Sequence, residues 1–404
     1  MKDNVTQSLT SLHSWSGLLF GWVLFAVFLT GTLTVFDNEI TSWMQPELQE
    51  VTSVMDDVDI SYPVMELAWQ ADHSDVSFQS ARAPIFKVKW QDKRTFSGQT
   101  IDPRTGRMLT IRDTQGGDFF YHFHYGLLFG VPGAWIVGIG GVAMLMALVT
   151  GLSIHRRGLK DFMTLYPRPF SQRAWLDAHN MSGILVLPFH LLMTVTGLLI
   201  LWSIFMPGEL QFLSGGGLVL SVLSDLHFVQ FGGAAMRWLY FVMGLAASVM
   251  IATGLLLWTN KRRKYYADGS GVLSYRLVES LNVASVAGLL VSIAAFFWAN
   301  RLLPMALIGR SVWEVRCFFV VWCFCLVHSL LRRGSTAAWS EQLYVAALLL
   351  GTLPLLNVWT TNSHLLMTVP KGQWALASID LTALAAGLLL VWTARRLGHA
   401  VVKA

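Results

Sequence analysis

Two hydrophobic segments near the N-terminus of this chain recur as a third and a fourth segment, and the repeat preserves histidines and Thr-Gly pairs at fixed intervals. One segment type contains His13 with Thr30-Gly31 and, in its second copy, His179 with Thr196-Gly197. The other contains His124 with Thr150-Gly151 and His227 with Thr253-Gly254. Because equivalent segments occupy equivalent places in a duplicated fold, the repeat predicts that His13 and His179 lie at one depth and that His124 and His227 lie at another.

The composition predicts the environment of these segments. The chain has 404 residues, of which 54% are hydrophobic and only 13% are charged, and its mean hydropathy is +0.52. These values are typical of a polytopic protein in a lipid membrane, where about 20 apolar residues cross the hydrocarbon core. Eight spans are predicted: Leu18–Phe36, Ala134–Ile154, Trp175–Phe205, Ala234–Thr259, Leu281–Asn300, Val315–Leu331, Leu343–Val358 and Leu376–Arg395. Each histidine of the repeat is expected at the start of a helix.

The distribution of Lys and Arg predicts the orientation. The loops Arg156–Arg173 and Lys261–Arg276 are rich in both residues, whereas the loop Met206–Asp225 contains neither. Short basic loops stay in the cytoplasm. We therefore expect a multi-pass protein of the bacterial inner membrane with both termini in the cytoplasm. The same loops account for the pI of about 9.2, so no nucleic-acid partner is expected.

A polar segment, roughly Asp37–Phe120, interrupts the membrane pattern and is expected on the periplasmic side. Alternation of apolar and polar residues predicts strands in it. The expected elements are a short helix at Pro63–Ala71, strands at Ile85–Trp90, Phe96–Ile101 and Arg107–Ile111, and a turn at Asp102–Gly106. The predicted fold class is therefore mainly α: a membrane helical bundle with a small α+β domain.

Part of the sequence resembles a known protein family. The run Gln99–Met108 is similar to the strand–turn–strand signature of PepSY domains, and the four histidine segments resemble those of PepSY-associated transmembrane proteins. The resemblance covers about residues 1–262. It divides the chain into a first helix (1–36), a PepSY-like domain (37–120), three further helices (121–262) and a C-terminal four-helix region of unknown role (263–404).

Four equivalent histidines in a membrane bundle favour two haems b, each held by two imidazoles. His13 with His179 would hold one iron, and His124 with His227 the other. The alternative is that these histidines are interfacial residues that cap helices or bind lipid headgroups. A copper or zinc site is a weaker alternative, because the histidines divide between two faces instead of clustering at one depth.

Two further polar residues fall inside predicted spans. His190 lies near mid-membrane and has no repeat partner, so it could ligate a haem together with a residue of another helix, or relay a proton. Arg237 needs an anionic partner, either a haem propionate or a carboxylate such as Asp225. The three cysteines (Cys317, Cys323 and Cys325) all fall in the sixth span, where apolar packing is expected.

Two haems at different depths would connect the two faces of the membrane. The cytoplasmic loops are too short for a flavin or nicotinamide domain, so the electrons are expected from a separate cytoplasmic reductase or from a quinol. The resemblance implies a periplasmic ferric siderophore as the acceptor, with release of iron(II). Two other classes remain open: a transporter that carries the siderophore inward, and a PepSY membrane sensor without redox activity.

Overall fold

The computed structural model describes most of the 404-residue chain. The described residues are 2–48, 74–77, 86–92, 95–101, 108–154, 172–205, 217–266, 271–332 and 335–402. The expected helix Pro63–Ala71 and the expected turn Asp102–Gly106 lie outside the described residues.

Eight helices among the described residues are long and apolar enough to cross a membrane. They comprise Asn4–Thr34, Gly130–Ile154, Leu187–Phe205, Gly233–Arg263, Val272–Leu302, Arg310–Leu331, Thr336–Thr360 and Trp374–Leu397. Each coincides with one of the eight predicted spans, so the chain is a multi-pass membrane protein.

The helices are numbered here in chain order. They are α1 (Lys2–Thr34), α2 (Asp37–Met44), α3 (Asp118–Gly126), α4 (Gly130–Ile154), α5 (Gln172–Leu185), α6 (Leu187–Phe205), α7 (Leu218–Phe228), α8 (Gly233–Tyr266), α9 (Val272–Val283), α10 (Leu289–Leu302), α11 (Arg310–Leu331), α12 (Ser335–Thr360), α13 (Leu365–Thr368) and α14 (Trp374–Val402). A π-helical stretch at Ala284–Gly288 joins α9 to α10, and a 3-10 turn at Pro46–Leu48 follows α2.

The third predicted span is not one continuous helix. The sequence predicted a single helix over Trp175–Phe205, but α5 ends at Leu185 and α6 begins at Leu187. Pro188 explains the break, because proline has no N–H and its ring clashes with the carbonyl four residues earlier. The helical hydrogen bonds resume when the His190 N–H donates to the Val186 carbonyl at 2.9 Å.

The expectation that each histidine starts a long helix is wrong. His13 lies well inside α1, which begins at Lys2, and His179 lies in the middle of α5. His124 and His227 lie in the last turns of the short helices α3 and α7. The apolar pattern marks only the part of a helix that lies in lipid, whereas backbone hydrogen bonding continues into the polar flanks.

The backbone is strained directly after the two short histidine helices. Leu127 and Leu128 follow α3 with φ of 51° and 57°, and Val229 follows α7 with φ of 55°. These are the non-glycine residues with positive φ in the described part of the chain. A positive φ is costly for side chains of this kind, above all for β-branched valine, and such strain concentrates at functional sites.

Four strands lie between α2 and α3. They are β1 (Ser74–Ser77), β2 (Phe86–Asp92), β3 (Thr95–Ile101) and β4 (Met108–Leu109), and they form an antiparallel sheet in the order β1-β2-β3-β4. In the central pair, Phe86 lies opposite Ile101 and Asp92 lies opposite Thr95. The three predicted strands coincide with β2, β3 and β4, while β1 was not predicted because its residues do not alternate.

The remaining helices form two packed groups. Helices α1 and α3–α8 contain the repeat, and α9–α14 form a C-terminal unit, which also contacts α1 and α2. Within this unit α12 and α14 approach closely at two glycines, since a Cβ on Gly387 would lie 2.7 Å from the backbone of Gly351. Small residues permit such contacts between membrane helices. The three cysteines lie on α11 and form no disulfide among themselves.

Candidate functional site

The structure brings the four repeat histidines together as two pairs. The ring centres of His13 and His179 lie 6.2 Å apart with an interplanar angle of 72°. Those of His124 and His227 lie 6.1 Å apart with an angle of 31°. These are the pairs that the repeat predicted.

The two pairs lie at opposite ends of the bundle. His13 lies in the first half of α1, whereas His124 hydrogen-bonds to Val27 in the second half of the same helix. The 14 residues between His13 and Val27 correspond to about 20 Å along a helix. We call His13 and His179 the proximal pair, and His124 and His227 the distal pair.

Each proximal imidazole is oriented by a hydrogen bond from Nδ1. His13 Nδ1 donates to the Ala147 carbonyl at 3.0 Å, and His179 Nδ1 donates to the Met250 carbonyl at 2.8 Å. Ala147 on α4 and Met250 on α8 are equivalent positions of the repeat. A carbonyl can only accept, so Nδ1 carries the proton in both rings and the lone pair is on Nε2.

The distal imidazoles are oriented in the same way. His124 Nδ1 donates to the Val27 carbonyl at 2.8 Å, and His227 Nδ1 lies 2.8 Å from Thr196 Oγ1. The single hydroxyl proton of Thr196 is donated to the Leu192 carbonyl at 2.7 Å, so this oxygen must accept from His227. All four rings therefore carry their lone pair on Nε2, the arrangement in which a second hydrogen bond orients a metal-ligating histidine.

The Thr-Gly pairs of the repeat contact the histidines. At all four glycines, an added Cβ would lie no more than 3.2 Å from an imidazole atom. The distances are 2.5 Å from Gly31 to His124, 3.2 Å from Gly151 to His13, 3.0 Å from Gly197 to His227 and 3.1 Å from Gly254 to His179. Small residues of this kind permit the close approach of a helix or of a porphyrin. In the structure each one admits an imidazole from another helix, and no Thr-Gly pair contacts the histidine that precedes it in its own segment.

The distal imidazoles are neutral at ordinary pH. Burial lowers the pKa of His124. Burial also lowers the pKa of His227, to about 3, and the neighbouring His124 lowers it further. The neutral ring is the form that coordinates a metal, so both rings are ready to act as ligands.

His122 and His124 lie two residues apart in α3, and the structure distinguishes them. His122 is exposed, and its Nδ1 hydrogen-bonds to the Tyr125 hydroxyl at 3.1 Å. Because residues two apart on a helix point in different directions, only His124 reaches His227. His122 is therefore a natural control residue for the distal pair.

His190 on α6 is fully buried but meets no second histidine ring among the described residues. Its ring lies 6.2 Å from that of Phe28 on α1. Neither of its nitrogens has a hydrogen-bond partner in the described part of the chain, and neither does the hydroxyl of Thr194 one turn later. The Ser182 carbonyl approaches the ring without hydrogen-bonding geometry. The two roles expected from sequence, ligand and proton relay, stay predictions.

Arg237 on α8 has a carboxylate partner that the sequence analysis missed. Its guanidinium lies 3.5 Å from Glu39 on α2. Asp225, the carboxylate expected from sequence, is not its partner. Its Nε is buried and has no partner among the described residues. An anionic group at this end of the bundle would satisfy that N–H.

A second cationic group, Arg262, lies on α8 about two turns after Gly254, which approaches His179 of the proximal pair. The Arg262 guanidinium stacks over the Trp258 ring at 4.2 Å and over the Trp15 ring at 5.6 Å. Trp15 follows His13 by two residues, and the Trp258 Nε1 is buried without a partner in the described structure. The charge pattern of the basic loop that begins at Lys261 predicts orientation only, and it does not reveal this contact of Arg262 with the two tryptophans.

A metal site built from protein ligands alone is not seen here. No group of three or more His, Cys, Asp or Glu side chains is placed to hold a metal ion within the described residues. Two opposed imidazoles suffice when a porphyrin supplies the four equatorial nitrogens. An iron bonded at about 2 Å to each Nε2 would separate the two ring centres by about 6 Å, since metal–imidazole bonds are about that long. Both pairs meet this requirement.

Comparisons with known proteins find one matching family and a partial relative. Residues 10–217 and 211–261 match the family described as the PepSY-associated TM region. An uncharacterized protein of Pseudomonas aeruginosa is 31% identical over 175 residues, which cover 42% of this chain and 41% of that protein. The match therefore spans well under half the length of that relative. No solved structure matches the chain.

Proposed function

The chain belongs to the PepSY-associated transmembrane family, and from this premise we propose that it is a di-haem b oxidoreductase of the bacterial inner membrane. It would pass electrons across the membrane to a periplasmic ferric siderophore, from which iron(II) is released. One observation carries this proposal: the proximal and distal histidines form two pairs, and the ring centres in each pair lie about 6 Å apart. Each of the four rings carries its proton on Nδ1. Interfacial histidines that cap helices or bind headgroups have no reason to meet in this way.

The residues present fit two haems. The proximal and distal pairs would each hold one haem through their two Nε2 atoms, and such a haem would supply reversible one-electron transfer when it is bound. Arg237 at the distal end, and Arg262 with Trp258 at the proximal end, would bind propionates, and the unpartnered N–H groups of Arg237 and Trp258 would then have an acceptor. The buried nitrogens of His190 would border the same cofactor region between the two pairs.

The orientation follows from the basic loops. The proximal pair would face the cytoplasm, together with both termini, and the distal pair would face the periplasm, as would the segment with β1–β4. A separate cytoplasmic reductase or a quinol would be the electron donor.

We propose the acceptor from a resemblance of the sequence to the inner-membrane siderophore reductase FoxB. A ferric siderophore, of the hydroxamate class, would receive one electron near the distal pair, so that iron(III) becomes the more weakly held iron(II). A transporter would need substrate groups at mid-membrane, and a sensor would need no paired histidines. The geometry therefore favours the redox function over both alternatives.

Haem stoichiometry is the first test of this proposal. The purified protein, expressed with ample haem, should contain two non-covalent haems b per chain. His227→Ala should reduce the content to one by removing the distal haem, and so should His124→Ala. The control His122→Ala, which changes an exposed histidine on the same helix, should keep both haems. A content of one haem or none in the unmodified protein would refute the two-site proposal.

The second test concerns direction and acceptor. The protein is reduced in sealed vesicles of known orientation, and a ferric hydroxamate siderophore is added to the periplasmic face. Reoxidation should follow at once, and His227→Ala should prevent it even though the proximal haem can still be reduced. An undiminished rate in this variant would place the acceptor at the proximal end. If no ferric chelate reoxidises the unmodified protein, the proposed substrate is wrong.

A further inference from the structure

We propose that the C-terminal unit α9–α14, which lies outside the family match, positions the distal histidine helix α3 and holds both roots of the segment 49–107. The first root is Trp43–Leu48 and the second is Arg112–Gly117. The part of this inference that concerns the distal haem rests on the proposed function, whereas the part that concerns the roots does not.

The first root is bound by the ends of α10 and α14. The Trp43 Nε1 donates to Asp380 at 3.1 Å, and the Trp43 carbonyl accepts from Arg301 at 2.6 Å. The Arg301 guanidinium also lies 3.8 Å from the centre of the Trp43 ring. Phe297 contacts the same indole edge-on at 5.6 Å. A fully buried tryptophan is thus held through its ring, its N–H and its carbonyl.

The second root is bound by the start of α11. Asp113 accepts hydrogen bonds from the Ser311 backbone N–H at 3.1 Å and from its hydroxyl at 2.6 Å. The Thr114 hydroxyl donates to Glu314 at 2.6 Å, and Arg310 donates to the Asp113 carbonyl at 2.9 Å. Ser311, Arg310 and Glu314 thus engage two consecutive residues of the root.

The two roots are also joined to each other through this unit. Arg112 of the second root donates to Glu47 of the first at 2.6 and 2.8 Å, and to the Asn300 carbonyl on α10 at 3.0 Å. Arg310 and Glu314 are fully buried and form an ion pair, and Asn300 donates to Glu314 at 2.8 Å. A buried charged network of this kind adds little net stability, but it tolerates only one geometry because each unpaired member would be costly.

Helix α3 continues directly from the second root and packs on the same unit. Phe119, Phe120 and Phe123 are almost completely buried. Phe119 stacks on Phe296 of α10 with ring centres 4.4 Å apart, and Phe123 contacts Phe318 of α11 at 5.8 Å. His124 follows these phenylalanines and hydrogen-bonds to α1 on the other side. The C-terminal unit therefore fixes one face of the helix that presents His124.

The proximal histidines donate hydrogen bonds to carbonyls on α4 and α8 instead. A change at the contact between α3 and α10 should therefore alter the distal haem more than the proximal one. A matched control is available in Leu343, which is buried in the same unit but packs beside Ala287 and Ala394.

The first experiment compares Phe296→Ala with Leu343→Ala in the full chain. Phe296→Ala should shift the midpoint potential of the distal haem or reduce the haem content from two to one, while the proximal potential stays unchanged. Phe296→Leu should restore most of the distal signal, and Leu343→Ala should leave both haems as they are. Equal potentials in Phe296→Ala and Leu343→Ala would overturn the positioning of α3.

The second experiment needs no haem and therefore separates this inference from the proposed function. Glu314→Gln should increase proteolytic cleavage within residues 49–107 by about tenfold, which corresponds to about 1.4 kcal/mol in local opening. The control Glu341→Gln changes an exposed carboxylate of the same unit and should not increase cleavage. Equal cleavage in the two variants would overturn the anchoring of the roots, whether or not the protein binds haem.

Discussion

Replacing Gly31 by alanine should remove the distal haem and leave the proximal one. A Cβ at this position would lie 2.5 Å from Nδ1 and 2.6 Å from Cε1 of His124, about 1 Å closer than ordinary contact between non-bonded atoms. The imidazole must therefore move away from α1 by roughly 1 Å. That movement breaks its 2.8 Å hydrogen bond to the Val27 carbonyl.

The expected cost follows from these contacts. Overpacking of this kind costs about 1–3 kcal/mol, and a buried N–H without its acceptor costs about 1–3 kcal/mol more. Alanine offsets about 1 kcal/mol of this through its better helix propensity. The net loss of roughly 1–5 kcal/mol corresponds to a decrease in distal haem affinity by a factor between about 5 and several thousand.

The assay is the haem content together with a redox titration that resolves the two haems. Gly17→Ala is the matched control, because Gly17 lies in the same helix and an added Cβ there would meet nothing within 4 Å. This control should keep both haems and stabilise the helix slightly. If Gly31→Ala retains two haems at unchanged potentials, Gly31 is not needed to accommodate His124 and the reasoning fails.

Three further predictions follow from the same geometry. The proximal haem should give the single large-g EPR signal of nearly perpendicular imidazoles, since the planes of His13 and His179 meet at 72°. The distal haem should give the rhombic EPR spectrum of nearly parallel imidazoles, since the planes of His124 and His227 meet at 31°. Two identical spectra would contradict the ring geometry. The distal haem should keep its low-spin spectrum on acidification to about pH 5. Burial lowers the pKa of His227 to about 3, so protons compete with iron for this ring only near that pH. Loss of the low-spin spectrum near pH 6.5 would contradict this prediction. Val229 is buried and has a positive φ, so Val229→Gly and Val229→Ala both remove its packing, but only glycine also relieves the backbone strain. Val229→Gly should therefore lower the free energy of unfolding by roughly 1 kcal/mol less than Val229→Ala does; equal losses in thermal unfolding would show that Val229 is not strained.

Much of the architecture could be predicted from local sequence. Apolar runs of about 20 residues identify membrane spans because only a continuous helix satisfies its backbone in lipid, and all eight spans were predicted in this way. The pairing of His13 with His179 and of His124 with His227 was predicted as well. In that case the signal was the internal duplication, since equivalent positions in two copies of one fold must lie at equivalent depths.

The details that complete the site depend on contacts between residues far apart in the chain. The sequence shows Thr30-Gly31 in the same segment as His13, but the structure places Gly31 against His124. It likewise places Glu39, and not Asp225, beside Arg237. Such contacts depend on the rotation of each helix about its axis, and this rotation is set by how neighbouring helices pack together.

The C-terminal region, residues 263–404, shows most clearly which features the sequence predicts and which depend on tertiary structure. Composition alone predicted its four spans, but its residues carry no motif and its role could not be inferred from sequence. Arg301, Arg310 and Glu314 are ordinary charged residues near predicted helix ends, and each of them could have been exposed to water. Only the tertiary structure buries them against the two roots of the segment 49–107, because a charge is stable inside a protein only where folding brings its partners to it.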